Sequence, residues 1–222
     1  MPQLHTSGRF LQGPRHGLPS TFGERRCSLI LHSHRNIWRD SHGDLDQLQQ
    51  LIPAVKRRTA AFYSVGLPHV DLFLDSPGGN VVAALSLGRL IRREMLTTNI
   101  DVDRSCSSAR VLVFSAGVER MMWYRAKLGL HRPTFPQQLL AGFGYGESQD
   151  IYKKLTDEVS DYLKEMGASP ILIEKMLSIS SSDIYFIGEQ EAKEYGIAGD
   201  FPAFNEWIRA RQVKDFRKEI TH

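Results

Sequence analysis

The chain has 222 residues, 41% apolar and 24% charged, the mix of a globular protein long enough to bury a core without disulfide or metal staples. Lys and Arg number 28 against 25 Asp and Glu, and a formal charge of +3 is too near balance to mark a nucleic-acid surface. No apolar run approaches the ~18 to 20 residues that span a bilayer, and two cysteines, Cys27 and Cys106, suit neither a disulfide framework nor a zinc cluster.

Residues 1–26 are rich in Gly, Pro, Ser and Arg without hydrophobic periodicity and read as a flexible basic arm, with no apolar core of a secretory signal. Residues 27–222 read as one domain, and reduced thiols fit a cytoplasmic protein. Cys27 to His32 is an apolar run that suits a buried strand, and Asp44 to Arg58 has helical spacing (Leu45, Leu48, Leu51, Ile52, Val55) with Asp44 as a cap. Val70 to Leu74 is the next strand, followed at once by Asp75-Ser76-Pro77-Gly78-Gly79 and a helix over Val81 to Glu94, with Val82, Leu85, Leu87, Leu90 and Ile91 on its buried side. Ile100 to Val102 reads as a short strand and Ser107 to Ala116 as a helix buried against a sheet. Met121 to Tyr124 and Lys127 to Leu130 are strands leading into His131-Arg132-Pro133. Thr134 to Ser148 reads as loop, Gln149 to Met166 as an amphipathic helix ended by Gly167, and Ile171 to Leu177 as a shorter helix. Ile184 to Ile187 is a strand, Glu189 to Tyr195 a helical turn ended by Gly196, and Phe204 to Phe216 a terminal helix. Strands alternating with helices imply an α/β layered domain.

Four segments carry chemistry. The glycines after the Val70 strand let backbone approach a ligand, and amides at such a turn can face a developing oxyanion; an ordinary strand-to-helix turn reads the same way. Ser107 and Ser108 stand at a helix start, where a hydroxyl is either a nucleophile or a cap. His131 at a strand end suits a general base, although a lone histidine is more often structural. Asp183 at the start of the Ile184 strand either orients an imidazole or caps a turn. His32 and His34 alternate to opposite strand faces, so no metal site is expected.

Taken together, in this order, the segments resemble the Clp protease proteolytic subunit (ClpP) and the wider Clp/crotonase superfamily. Gly78 and Ser108 stand thirty positions apart, Ala116-Gly117 begins eight positions after the serine, Leu130-His131-Arg132-Pro133 matches an apolar-His-x-Pro tetrad, and Glu191 to Gly196 matches a Glu-Ala-x-x-Tyr-Gly segment. The resemblance spans roughly residues 28–200. The Ser108 to His131 interval is about two residues shorter than the family's, the Asp183 segment carries one extra residue, and Arg110 follows the serine where less studied relatives with a Cys-x-Ser-Ala pattern often carry cysteine.

The resemblance implies a ClpP/crotonase-like fold of repeated strand-strand-helix units, with the helix from Gln149 as a protruding handle that packs subunits into rings. It implies a serine peptidase that needs no cofactor, with Ser108 as nucleophile, His131 as base, Asp183 as the third triad member, and Gly79 and Ala109, with Gly78 beside them, forming the oxyanion hole. Its substrate would be a peptide or unfolded protein and its assembly a homo-oligomer. No unfoldase partner is implied, because no glycine-rich axial-loop pattern is visible. The alternatives are an inactive Clp-fold scaffold or peptide-binding module, crotonase-type acyl-CoA chemistry, and a Ser-Lys dyad using Lys127.

Overall fold

Four strands, β1 (Cys27–His32), β2 (Val70–Asp75), β3 (Thr97–Ile100) and β5 (Glu119–Met122), run parallel side by side, and β8 (Gly199–Asp200) closes the far edge antiparallel. A second sheet pairs β4 (Ser105–Ser107) with β6 (Lys127–Leu130) in parallel, and β7 (Tyr185–Ile187) joins β6 antiparallel. The computed structural model describes residues 27–32, 70–133, 143–201, 203 and 206. The expected arm, the Asp44 to Arg58 helix and nearly all of the Phe204 to Phe216 helix lie outside the described residues. Helices α1 (Val81–Arg93), α2 (Ala109–Ser115), α3 (Tyr145–Glu165), α4 (Pro170–Ser178) and α5 (Glu189–Glu194) alternate with the strands, which is the α/β arrangement the sequence predicts.

Local chemistry explains most boundaries. Asn80 caps α1 by accepting the Ala83 N–H through Oδ1 at 3.0 Å. Helix α1 buries Val81, Ala84, Leu85, Leu87, Leu90 and Ile91, whereas Val82, expected on that side, is exposed. Helix α4 starts on Ser169 with Pro170 at its first position, a site where a missing N–H costs nothing.

Four boundaries are corrected, the first being the strand expected at Met121 to Tyr124, which is β5, two residues earlier. The strand placed at Ile100 to Val102 is β3, three residues earlier, and all four of its residues are buried. Hydropathy passes over Thr97-Thr98-Asn99, yet Thr98 Oγ1 donates to Phe114 O at 2.7 Å and Thr97 Oγ1 to Glu119 Oε2 at 3.3 Å, so the hydroxyls enter the interior satisfied. The Ser107 to Ala116 helix is shorter, because Ser105 to Ser107 pair as β4 and only Ala109 to Ser115 are helical. Finally, α3 begins at Tyr145 inside the expected loop: Glu147 Oε2 accepts the Gly144 N–H at 3.0 Å and holds the first turn closed.

Helix α3 enters the core only near its end, although Tyr152 in its first half donates to Pro133 O at 3.3 Å. Its buried residues are Val159, Tyr162 and Leu163. Tyr162 is fully buried, and its hydroxyl donates to Leu112 O in α2 at 2.8 Å. It reaches that carbonyl across Gly88 of α1, where any Cβ would collide with the hydroxyl and would stand 2.7 Å from the ring Cζ. A glycine in a helix interior ordinarily gains about 0.5–1 kcal/mol on replacement by alanine. Here the ring is enclosed and hydrogen-bonded, so overpacking of about 1–3 kcal/mol wins. We therefore expect Gly88→Ala to lower thermal stability, with part of the loss recovered in the Gly88→Ala/Tyr162→Phe pair; differential scanning calorimetry of the native protein and the two variants checks both signs.

Candidate active site

The strands that matter end together. Ser76, one residue past β2, bridges in parallel to Cys106 of β4: the Ser76 N–H donates to Ser105 O and the Ser107 N–H to Ser76 O, both at 3.0 Å. On the other side of β4, Ser107 pairs with Gly129 of β6, and the Ser108 N–H donates to Gly129 O at 3.0 Å. The C-terminal ends of β2, β4 and β6 thus present the Gly78-Gly79 turn, Ser108 and His131 at one edge, where ligands of parallel α/β sheets bind.

Ser108 stands between β4 and α2 with φ 58° and ψ −131°, a conformation unusual for any residue with a side chain. It occupies the cap position of α2, but its side chain makes no capping hydrogen bond. Ser107, the other serine of the pair, is buried, and its side chain lies against Gly129, where a Cβ would collide with the Ser107 hydroxyl. Of the two, Ser108 is the half-buried one.

The Ser-Pro-Gly-Gly turn lies against this serine. Gly78 has φ +135°, and a Cβ there would stand 2.7 Å from Ser108 Cβ and 3.3 Å from Ser108 Oγ. The Ser76 hydroxyl staples the turn, donating to Gly78 O at 3.2 Å and accepting the Gly78 N–H at 3.4 Å. Arg110, unexpected in the sequence, is buried and donates from Nε to Ser76 Oγ at 3.3 Å, so its guanidinium braces the turn. Ala109 opens α2, and the N–H of a first helical residue has no acceptor in its own helix. Gly79 is exposed in the turn.

His131 is buried one residue beyond β6, and its Nδ1 lies 2.8 Å from Arg132 O. Arg132 is itself held at three points: its N–H donates to Ile179 O at 3.3 Å, and its Nε and Nη2 reach Leu177 O at 2.9 and 2.7 Å. Asp183 is exposed; its N–H donates to Ser180 O at 3.2 Å and its Oδ1 accepts from Ser182 Oγ at 3.5 Å. Among the described residues, no hydrogen bond joins His131 to Ser108 or to Asp183. The β6–β7 register gives the reason for the second gap. The last pair is Leu130 with Tyr185, so one further step sets Ile184 opposite His131 and leaves Asp183 beyond it. Lys127, at the exposed start of β6, is four residues or roughly 13 Å along the strand from His131.

Sequence reasoning assigned no role to Ser76, the first residue of the quoted turn, or to Arg132, the variable position of the His-x-Pro tetrad. Neither has a hydropathy signal; both act through hydrogen bonds that only the register creates. The described residues contain no group of three or more His, Cys, Asp or Glu placed to hold a metal ion, and none of their helices is long and apolar enough to cross a membrane. Cys106 is fully buried, and burial pushes its thiol up to about 12, against the opposing pull of its hydrogen bond with Ser76 and of Arg110, which disfavours the thiolate.

No family model matches the chain. A 136-residue stretch is 28% identical to the ATP-dependent Clp protease proteolytic subunit 2 of Chlamydia muridarum and 27% identical to that of Chlamydia pneumoniae, in each case 58% of this chain and 62% of the relative. The chain therefore spans less than two thirds of the length of these curated relatives. Among solved structures, the 1510-N membrane-bound stomatin-specific protease, a lysine-to-alanine mutant in complex with a substrate peptide, superposes with a TM-score of 0.53 at 16% identity, covering 77% of this chain and 71% of that one. The fold is the Clp type.

Two outcomes follow from the strain and the burial. Alanine to glycine elsewhere costs about 0.5–1 kcal/mol, whereas backbone held as at Ser108 stores about 1–3 kcal/mol that glycine would release. Ser108→Gly should therefore melt at or above Ser108→Ala, the reverse of the usual order. At pH 8, iodoacetamide should leave Cys106 unmodified in the folded protein and alkylate it after denaturation, as read by peptide mapping.

Proposed function

We propose that this chain, a Clp-fold protein similar in sequence to the proteolytic subunits of Clp protease, is a serine peptidase that cleaves peptide bonds through an acyl-enzyme. The observation that carries the reading is Ser108 itself: a serine in strained backbone, uncapped, at the ends of parallel strands, with a glycine turn packed on its Cβ. In this reading Nε2 of His131 takes the hydroxyl proton as Oγ adds to the scissile carbonyl. The Gly79 and Ala109 amides, with Gly78 giving the clearance, bind the oxyanion. The imidazolium then gives its proton to the departing amine, and water, deprotonated by the same ring, hydrolyses the ester. The resemblance would set Asp183 at Nδ1, but among the described residues no hydrogen bond joins the two, and no step of this mechanism uses Asp183. The substrate is an extended peptide or unfolded protein, and a ring of identical subunits would keep the serine from folded proteins.

A fluorophosphonate probe, which loses fluoride when serine oxygen bonds to phosphorus, tests this directly. Labelling should occur in the native chain, disappear in Ser108→Ala, and fall by roughly 10³-fold or more in His131→Ala. Gly78→Ala, which places a methyl group on Ser108 and strains a positive φ, should abolish labelling as well. A folded native chain that does not react would turn the reading to a non-catalytic peptide-binding or scaffold module.

A further inference from the structure

Among the described residues, the group that faces Nδ1 of His131 is a main-chain carbonyl and not a carboxylate. Nδ1 of His131 is 2.8 Å from Arg132 O. A carbonyl oxygen can only accept, so Nδ1 carries the proton in this contact. In the neutral ring that leaves the Nε2 lone pair free, the tautomer a general base needs. An adjacent-residue carbonyl orients a ring only if the carbonyl is itself fixed. Here it is: the Arg132 N–H is held by Ile179 O, and the guanidinium forks onto Leu177 O with two hydrogen bonds. Leu177 lies in the last turn of α4, and Ile179 is its C-terminal cap. Carbonyls there have no acceptor role within the helix, and a cation is favoured at that end. Arg132 thus ties the imidazole to the end of α4. Across β6, the register gives the position opposite His131 to Ile184, whose Cγ2 lies within 2.8 Å of where a Gly129 Cβ would stand, and Asp183 spends its N–H and Oδ1 on Ser180 and Ser182.

Resting on the peptidase reading, we infer that the Arg132 carbonyl, held by the Arg132 side chain on the end of α4, takes the place of the triad carboxylate, and that Arg132 is the positioning residue of a Ser108–His131 dyad. Asp183 is then dispensable.

The test compares Asp183→Asn, Arg132→Met and Arg132→Lys by two readouts. The first is the fluorophosphonate labelling rate as a function of pH. The second is the ring ¹⁵N spectrum of His131, identified by its loss in His131→Gln. Asp183→Asn should label within about threefold of native and keep the Nδ1–H ring spectrum. Arg132→Met should label about 10- to 100-fold more slowly, the scale of a small misplacement of a reacting group, and its ring nitrogens should shift toward a tautomer mixture. Arg132→Lys, which retains one donor for Leu177 O, should recover part of both and guards against a folding defect in the methionine variant. The inference is overturned if Asp183→Asn loses the about 10⁴-fold expected of a triad aspartate, or if Arg132→Met leaves the ring spectrum of native protein. The ring spectra decide the matter even in a chain that never reacts with the probe, so failure of the orienting role is distinguishable from failure of the peptidase reading.

Discussion

The site depends on a bridge only two hydrogen bonds wide. Ser76 exchanges main-chain bonds with Ser105 and Ser107, and this pairing is where the five-stranded sheet meets the three-stranded one. Without it the glycine turn would belong to one layer and the serine to another. With it, Gly78 is pressed against Ser108 closely enough that a methyl group cannot fit between them. The same pressure explains why Ser108 adopts a positive φ: β4 must end in register with Gly129 and α2 must begin at once, leaving a single residue to make the turn. Strain of this kind persists only where surrounding contacts over-determine it, and here three strands do so.

Arginine is the second theme. Arg92 donates to Ala116 O at 2.8 Å and to Ser115 O, and lies 3.8 Å over the Phe201 ring; Arg120 donates to Gly199 O and Gly196 O, both at 2.9 Å. Both also reach Met166 O, the cap at the end of α3. With Arg132 on Leu177 O, three guanidiniums serve as donors for carbonyls that helices and turns leave over. A planar, weakly hydrated fork suits this where an ammonium would not. The slight positive balance of the chain is therefore spent partly on internal carbonyls, which accords with the lack of any basic stripe in the sequence.

Much of this was legible in the residues. Hydrophobic spacing placed α1, β6 and α4, and glycine marked the ends of α3 and α5, where Gly167 and Gly196 do have positive φ. The spacing of Ser-Pro-Gly-Gly, Ser108 and His131-x-Pro pointed to three segments that the fold brings to one edge. What escaped was polar and relational. β3 is Thr-Thr-Asn-Ile, buried with its hydroxyls on acceptors in β5 and α2, and β4 is three small residues that are a strand only by virtue of their neighbours. The one extra residue of the Asp183 segment was visible, but that the pairing runs toward Ile184 and not Asp183 opposite His131 is a matter of register, which no local pattern encodes.

Helix α3 divides into two thermodynamic halves. Its last turns hold Val159, Tyr162 and Leu163 in the core, with Tyr162 bonded to α2. Its earlier turns bury no side chain fully; they rest on exposed local pairs such as Lys153 with Asp157, which contribute little, and on the Tyr152 hydroxyl, which donates to Pro133 O at 3.3 Å. Amide protons near Val159 are thus protected by the opening of the whole domain, while those near Gly146 are released by fraying of the helix end alone. Hydrogen exchange along this single helix would be steeply graded, and slowing confined to its first turns would report on whatever comes to cover them.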